Sequence, residues 1–143
     1  MTRTAPLVID ASVALAWCFE DESTPALDAL LERVATEGAR VPALWCHEVA
    51  NGLETARRRG RATEAQVERL AALLTGLPLQ VEPVDPAVVL GTVRRLAAAH
   101  GLSVYDATYL ALALPEGLAL ATLDRELAEA AAAAGLEVLP GCA

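Results

Sequence analysis

The sequence predicts an α/β fold, a three-layer α/β/α sandwich around a central, mostly parallel sheet of four or five short strands. Three observations point there. Short apolar runs recur along the chain: LVI at 7–9, VPAL at 41–44, LQV at 79–81, LALAT at 118–122 and EVL at 137–139. Longer segments with helical spacing and cap residues lie between them, so strands and helices alternate. No repeat or long linker breaks the alternation, and 143 residues suit a single domain spanning 1–143.

Each element has a local reason. Leu7 to Ile9 reads as a buried strand, and a helix follows from about Ser12 to Phe19. Ser23, Thr24 and Pro25 open a second helix, with Pro25 at or near its first position and Gly38 at its end. A short strand over Val41 to Leu44 leads into a long helix, Trp45 to Arg59, stopped at Gly60. Thr63 and Gln66 form a capping box for a helix reaching about Leu74. After the strand at 79–81, Asp85-Pro86 starts a helix that closes near His100-Gly101. Ser103 caps VYDATYLALAL, whose small and apolar residues predict a buried helix. After the strand at 118–122, Asp124 caps LDRELAEAAAAA, Gly135 ends it, and 137–139 forms the last strand.

Composition narrows the function classes. Hydrophobic residues make up 55% and aromatic residues 3%, so the core is built of Ala, Leu and Val. No apolar run reaches the roughly 18 residues of a membrane helix. The N-terminal MTRTAPLVID has no secretion signature, so a soluble, cytoplasmic protein is expected, with no membrane partner. The net charge of −8 argues against a surface that coats nucleic acid generally. All eleven basic residues are Arg, which excludes any mechanism needing a catalytic lysine. Four of them, Arg57, Arg58, Arg59 and Arg61, form a local basic patch, RRRGR, that reads either as a phosphate contact or as a solvated helix end. Cys18, Cys46 and Cys142 are too scattered for a CxxC metal site. The first two read as small buried hydrophobes, the last as an exposed tail thiol.

Four carboxylates stand in awkward places. Asp10 separates an apolar strand from an apolar helix in LVIDASVALAWCF. Glu48 lies mid-helix among Leu44, Val49 and Leu53; Asp106 lies in the first turn of the apolar helix; Asp124 directly follows a strand. Three have a capping explanation: Asp10 and Asp124 as N-caps, Asp106 in a Ser-x-x-Asp box with Ser103. Glu48 has none. In a parallel sheet ligands bind beyond the carboxyl ends of the strands, which is where Asp10 sits. If the four converge, their like charges repel, and a hard divalent cation with oxygen ligands relieves that.

In order, LVIDASVALAWCFEDE, PALWCHEVANGL, LSVYDATYLALA and LATLDRELAEAAAAAG resemble the successive motifs of PIN-domain proteins, closest to the VapC-type ribonuclease toxins of bacterial toxin–antitoxin pairs. The resemblance spans about residues 7 to 139 and implies a PIN-like fold. It implies that Asp10, Glu48, Asp106 and Asp124 are catalytic and hold Mg²⁺, with Mn²⁺ as an alternative. Thr122 matches a small hydroxyl residue that supports such a site, and Ser12 and Asn51 are further supporting donors. It implies a metal-dependent endoribonuclease that hydrolyses RNA with a metal-activated water. A cognate antitoxin partner and a homodimer are implied too.

Three other readings compete. A phospho-receiver-like signalling domain also carries an Asp at a strand end, but needs a Lys that this chain lacks. A haloacid-type phosphatase would need Asp where Ser12 stands. A PIN fold that has lost activity and only binds a partner ranks below the nuclease, since all four acids remain. His47 reads as a structural or surface histidine, Tyr105 and Tyr109 as packing residues able to meet RNA bases, and Trp17 and Trp45 as core or interface.

Overall fold

Five parallel strands form the centre of the protein: β1 (Leu7–Ile9), β2 (Ala39–Pro42), β3 (Leu79–Glu82), β4 (Leu120–Ala121) and β5 (Val138–Leu139), in the order β3-β2-β1-β4-β5. The computed structural model describes residues 6–141, so Cys142 lies outside the described residues. Val8 is in register with Arg40 on one side and Leu120 on the other. All three β1 residues are fully buried, as a strand covered on both faces requires.

The helices are α1 (Ala11–Cys18), α2 (Pro25–Glu37), α3 (Ala43–Arg58), α4 (Glu64–Thr75), α5 (Pro86–Val88), α6 (Arg94–His100), α7 (Val104–Ala113) and α8 (Arg125–Ala133). The sheet grows from β1 in both directions, first to β2 and β3, later to β4 and β5. With right-handed crossovers this sends α1–α4 to one face and α5–α8 to the other. The packing agrees: α1 meets α2 and α3, and α3 meets α4, whereas α7 meets α6 and α8. The order reverses between β1 and β4, and in such sheets the carboxyl ends at that reversal are where a ligand crevice is expected. The expected three-layer sandwich is the one observed.

The differences from expectation are local. α1 begins at Ala11 because Asp10 takes the N-cap itself. β2 begins at Ala39, directly after Gly38. Gly38 has φ +83°, and a Cβ there would lie 2.8 Å from the Pro78 carbonyl oxygen, so glycine alone makes this abrupt entry. α3 consequently starts at Ala43 rather than Trp45. The helix expected over 86–100 carries a π-helical turn at Val89–Val93 between α5 and α6. The last two strands shorten to 120–121 and 138–139. The Thr63–Gln66 capping box is closed in both directions, as read.

Candidate active site

Asp10 ends β1 with only 5% of its surface exposed. Its Oδ1 accepts from the Ser12 hydroxyl at 2.6 Å and from the Val13 N–H at 3.2 Å. Its Oδ2 accepts from the Thr122 hydroxyl. Both hydroxyls work twice. Ser12 Oγ accepts from the Leu123 N–H and Thr122 Oγ1 from the Asp124 N–H, each at 2.9 Å. The ends of β1 and β4 are therefore joined through the Asp10 carboxylate. Burial pushes the Asp10 carboxyl up from its ordinary value, and the bonds from Ser12, Thr122 and Val13 act against that rise.

Asp124 caps α8, accepting from the Leu127 N–H at 3.0 Å. The capping explanations of Asp10 and Asp124 thus hold alongside their place in the acidic group. The box at Asp106 is only half formed: the Asp106 N–H donates to Ser103 Oγ at 3.1 Å, and the carboxylate makes no bond back to the Ser103 amide. That carboxyl is half-buried and pushed up to about 6, first by burial and then by the charges of Asp124, Glu48 and Asp10. Asp106 therefore feels the charges of the other three acids. Glu48 is half-buried mid-helix on α3, and its Oε1 accepts from the Tyr109 hydroxyl. Burial, then the Glu48 hydrogen bond and charge, pushes the Tyr109 hydroxyl far up, so it remains a donor.

Among the described residues no three His, Cys, Asp or Glu side chains stand close enough to form a ready metal cage. The donor chemistry still suits Mg²⁺, which takes one or two carboxylates and keeps several waters. The like charges that help raise the Asp106 carboxyl also favour a cation there.

The remaining expected residues separate. Asn51 is exposed and makes no hydrogen bond to Glu48, although the two share a helix face. Arg57 grips Glu54 through two bonds of 2.7 and 2.8 Å and lies 3.5 Å from Glu64. Arg58 pairs with Glu54 at 3.4 Å. Arg61 reaches Asp21 and Glu22 at 2.7 and 2.8 Å and covers the Phe19 ring at 4.0 Å. Only Arg59 of the patch has no ion pair among the described residues. His47 and Cys46 are exposed; the cysteine was expected to be buried, but its place on α3 faces solvent. Tyr109 is 1% exposed and packs as expected, yet its hydroxyl reaches an acid, a role the sequence reading missed. The available signal was its position three residues after Asp106, on the same helix face.

The PIN domain family matches residues 7–133. The chain belongs to the PIN-domain family. Among PIN-domain relatives, ribonuclease VapC3 of Pyrobaculum aerophilum is 36% identical over 126 residues, covering 86% of this chain and 92% of its own. Ribonuclease VapC9 of Mycobacterium tuberculosis is 36% identical over 124 residues, covering 86% and 89%. The crystal structure of PAE2754 from Pyrobaculum aerophilum superposes with a TM-score of 0.71 at 28% identity, over 94% of this chain and 84% of that one. The PIN-like α/β fold expected from the motifs is the fold these comparisons share.

Proposed function

We propose that this PIN-domain protein is a Mg²⁺-dependent endoribonuclease and the toxin of a toxin–antitoxin pair, acting in the cytoplasm as a single domain. The observation that carries the reading is the gathering of Asp10, Asp124, Asp106 and Glu48 at one end of the sheet, with Asp10 and Asp124 joined through the Thr122 hydroxyl and the other three charges acting on Asp106. VapC ribonucleases similar over most of the chain support it.

Asp10 and Asp106 are the residues that would hold the cation, flanked by Glu48 and Asp124. When bound, Mg²⁺ or Mn²⁺ supplies water activation and neutralises charge on the phosphate. The protein's own part is positioning. Ser12 and Thr122 fix both oxygens of Asp10, and Tyr109 holds Glu48. Hydrolysis adds water to phosphorus and breaks the bond to the leaving ribose oxygen, which takes up a proton. Arg59 is the member of the RRRGR run free to meet a phosphate. Exposed ion pairs contribute little, so Arg57, Arg58 and Arg61 can exchange partners for one. No helix among the described residues is long and apolar enough to cross a membrane.

The partners belong to the same proposal. An apolar groove of about 390 Å³ between the start of α3, the β3–α5 connection and α7, with Val84, Val88 and Tyr105 exposed, supports a homodimer. A larger groove of about 760 Å³, lined by Phe19, Arg61, Arg69 and Leu73 but by none of the four acids, supports a docking face for an antitoxin. RNA cleavage should require Mg²⁺, stop with EDTA and vanish in Asp10→Asn; cleavage that survives either treatment sinks the metal-nuclease reading. Growth arrest on expression, relieved by a co-expressed neighbouring gene product, tests the toxin reading.

A further inference from the structure

Glu48 and Asp106 approach the crevice from opposite layers, on α3 and α7. Asp10 is held by donors from its own turn and from β4. Glu48 has no such neighbours. It sits mid-helix, with three rotatable bonds, and among the described residues its one hydrogen-bond donor is Tyr109 on α7. The Tyr109 ring is 1% exposed, so its hydroxyl is delivered by a rigid, core-packed plate rather than by a mobile side chain. Asp106 and Tyr109 are three residues apart on one helix and face the same way. The face of α7 that supplies one acid thus also anchors another, from across the crevice.

We infer that Tyr109 is a positioning residue that fixes the Glu48 carboxylate relative to Asp10 and Asp106, so that α7 sets the spacing of the acidic group from both layers. The inference rests on the proposed metal-dependent activity for its kinetic consequence, but not for its structural one. Without the hydroxyl, Glu48 turns freely, and the group binds its cation less tightly and holds it less well for reaction. Removing outer partners of metal ligands lowers affinity or rate by about 10–100-fold.

Tyr109→Phe removes the hydroxyl and keeps the ring. Expected are a kcat lowered about 10–100-fold with KM for RNA nearly unchanged, and a Kd for Mn²⁺ or Mg²⁺ raised about 10-fold by calorimetry without RNA. In a Glu48→Ala background, which removes the acceptor, the same change should cost nothing further, since its effect passes through Glu48. The ¹³C signal of the Glu48 carboxylate should shift and broaden in the variant, while melting shows that it is folded. An unchanged Glu48 signal overturns the inference whether or not the protein cleaves RNA. Equal losses with and without Glu48 also overturn it. A wild-type protein that cleaves no RNA, with the Glu48 signal still responding to Tyr109→Phe, sinks the nuclease reading and leaves the positioning role standing.

Discussion

The two halves of the acidic crevice are held by different means. On the strand side, Asp10 is almost wholly buried, and two hydroxyls and a backbone amide fix its oxygens while the hydroxyls also bind the chain beyond β4. On the helix side, Glu48 and Asp106 are half-buried, and each is oriented by fewer partners. A buried carboxylate must be surrounded by donors or lose its charge. A half-buried one is partly served by water and can be left adjustable. The strand half is thus a fixed anchor, and the helix half is where geometry is set across the layers.

The largest effect should come from the anchor. Asp10→Asn keeps the shape but removes the charge and puts an amide NH₂ against the Ser12 or Thr122 hydroxyl. RNA cleavage is expected to fall by about 10³-fold or more, the scale at which an essential electrostatic group is lost. Initial rates with Mg²⁺ decide it. A loss under tenfold would show that the strand side is not the anchor.

Thr122→Val comes next. The isosteric change leaves Asp10 Oδ2 without its donor and the Asp124 N–H without its acceptor. Unsatisfied buried groups cost about 1–3 kcal/mol each, and lost support of a ligand costs about 10–100-fold in rate. Urea unfolding and kcat should both fall. If stability falls and rate does not, the hydroxyl serves only to join β1 to β4.

The comparison also explains how much could be read in the chain. Asp10 was legible because a charge inside LVIDAS contradicts its surroundings, and Glu48 because no helix end excuses it. Asp106 and Asp124 were legible as caps, and it took the fold to bring their charges together. Tyr109 was not legible as an anchor, because its partner lies 61 residues away and on the opposite layer. The RRRGR run could be read either as a phosphate contact or as a solvated helix end, and its ion pairs were not legible for the same reason: Asp21 and Glu22, which hold Arg61, lie far off in the sequence. Local patterns set the helices, the caps and the positions of the strands; the π-helical turn at Val89–Val93 and the early start of β2 depend on packing that no window contains.

A smaller effect on stability, of opposite sign to that of Thr122→Val, should appear at Asp106. Its carboxyl is pushed up to about 6 from 3.8 by burial, then by Asp124, Glu48 and Asp10. The folded protein therefore binds that proton more tightly than the unfolded chain does. Stability of the metal-free protein is then lost as pH rises from about 4 through about 6, and Asp10, raised mainly by burial, adds in the same direction. Asp106→Asn removes this loss. Its Tm should exceed wild type by about 2–4 °C at pH 7 and converge with it near pH 4, while cleavage is abolished. A Tm difference that is the same at both pH values would mean that neither burial nor the neighbouring acids raise the Asp106 carboxyl in the folded state.

The smallest effect tests what else holds the helix half. Gly52 lies one turn beyond Glu48 on α3, and a Cβ there would come within 2.4 Å of Leu15 Cδ1 on α1. Close approach of α1 and α3 therefore depends on this glycine. Alanine favours the helix by about 1 kcal/mol, and the partly exposed Leu15 side chain can turn aside, so the two terms nearly cancel. Gly52→Ala should shift Tm by no more than about 2–4 °C. The rate is the sharper reading. If Tyr109 sets Glu48 from α7, a small movement of α3 is absorbed by the Glu48 side chain, and kcat stays within about threefold of wild type, well short of the loss expected when a supporting partner is removed. A tenfold loss, with the Asp10 side untouched, would instead make the α1–α3 contact the main determinant of where Glu48 stands.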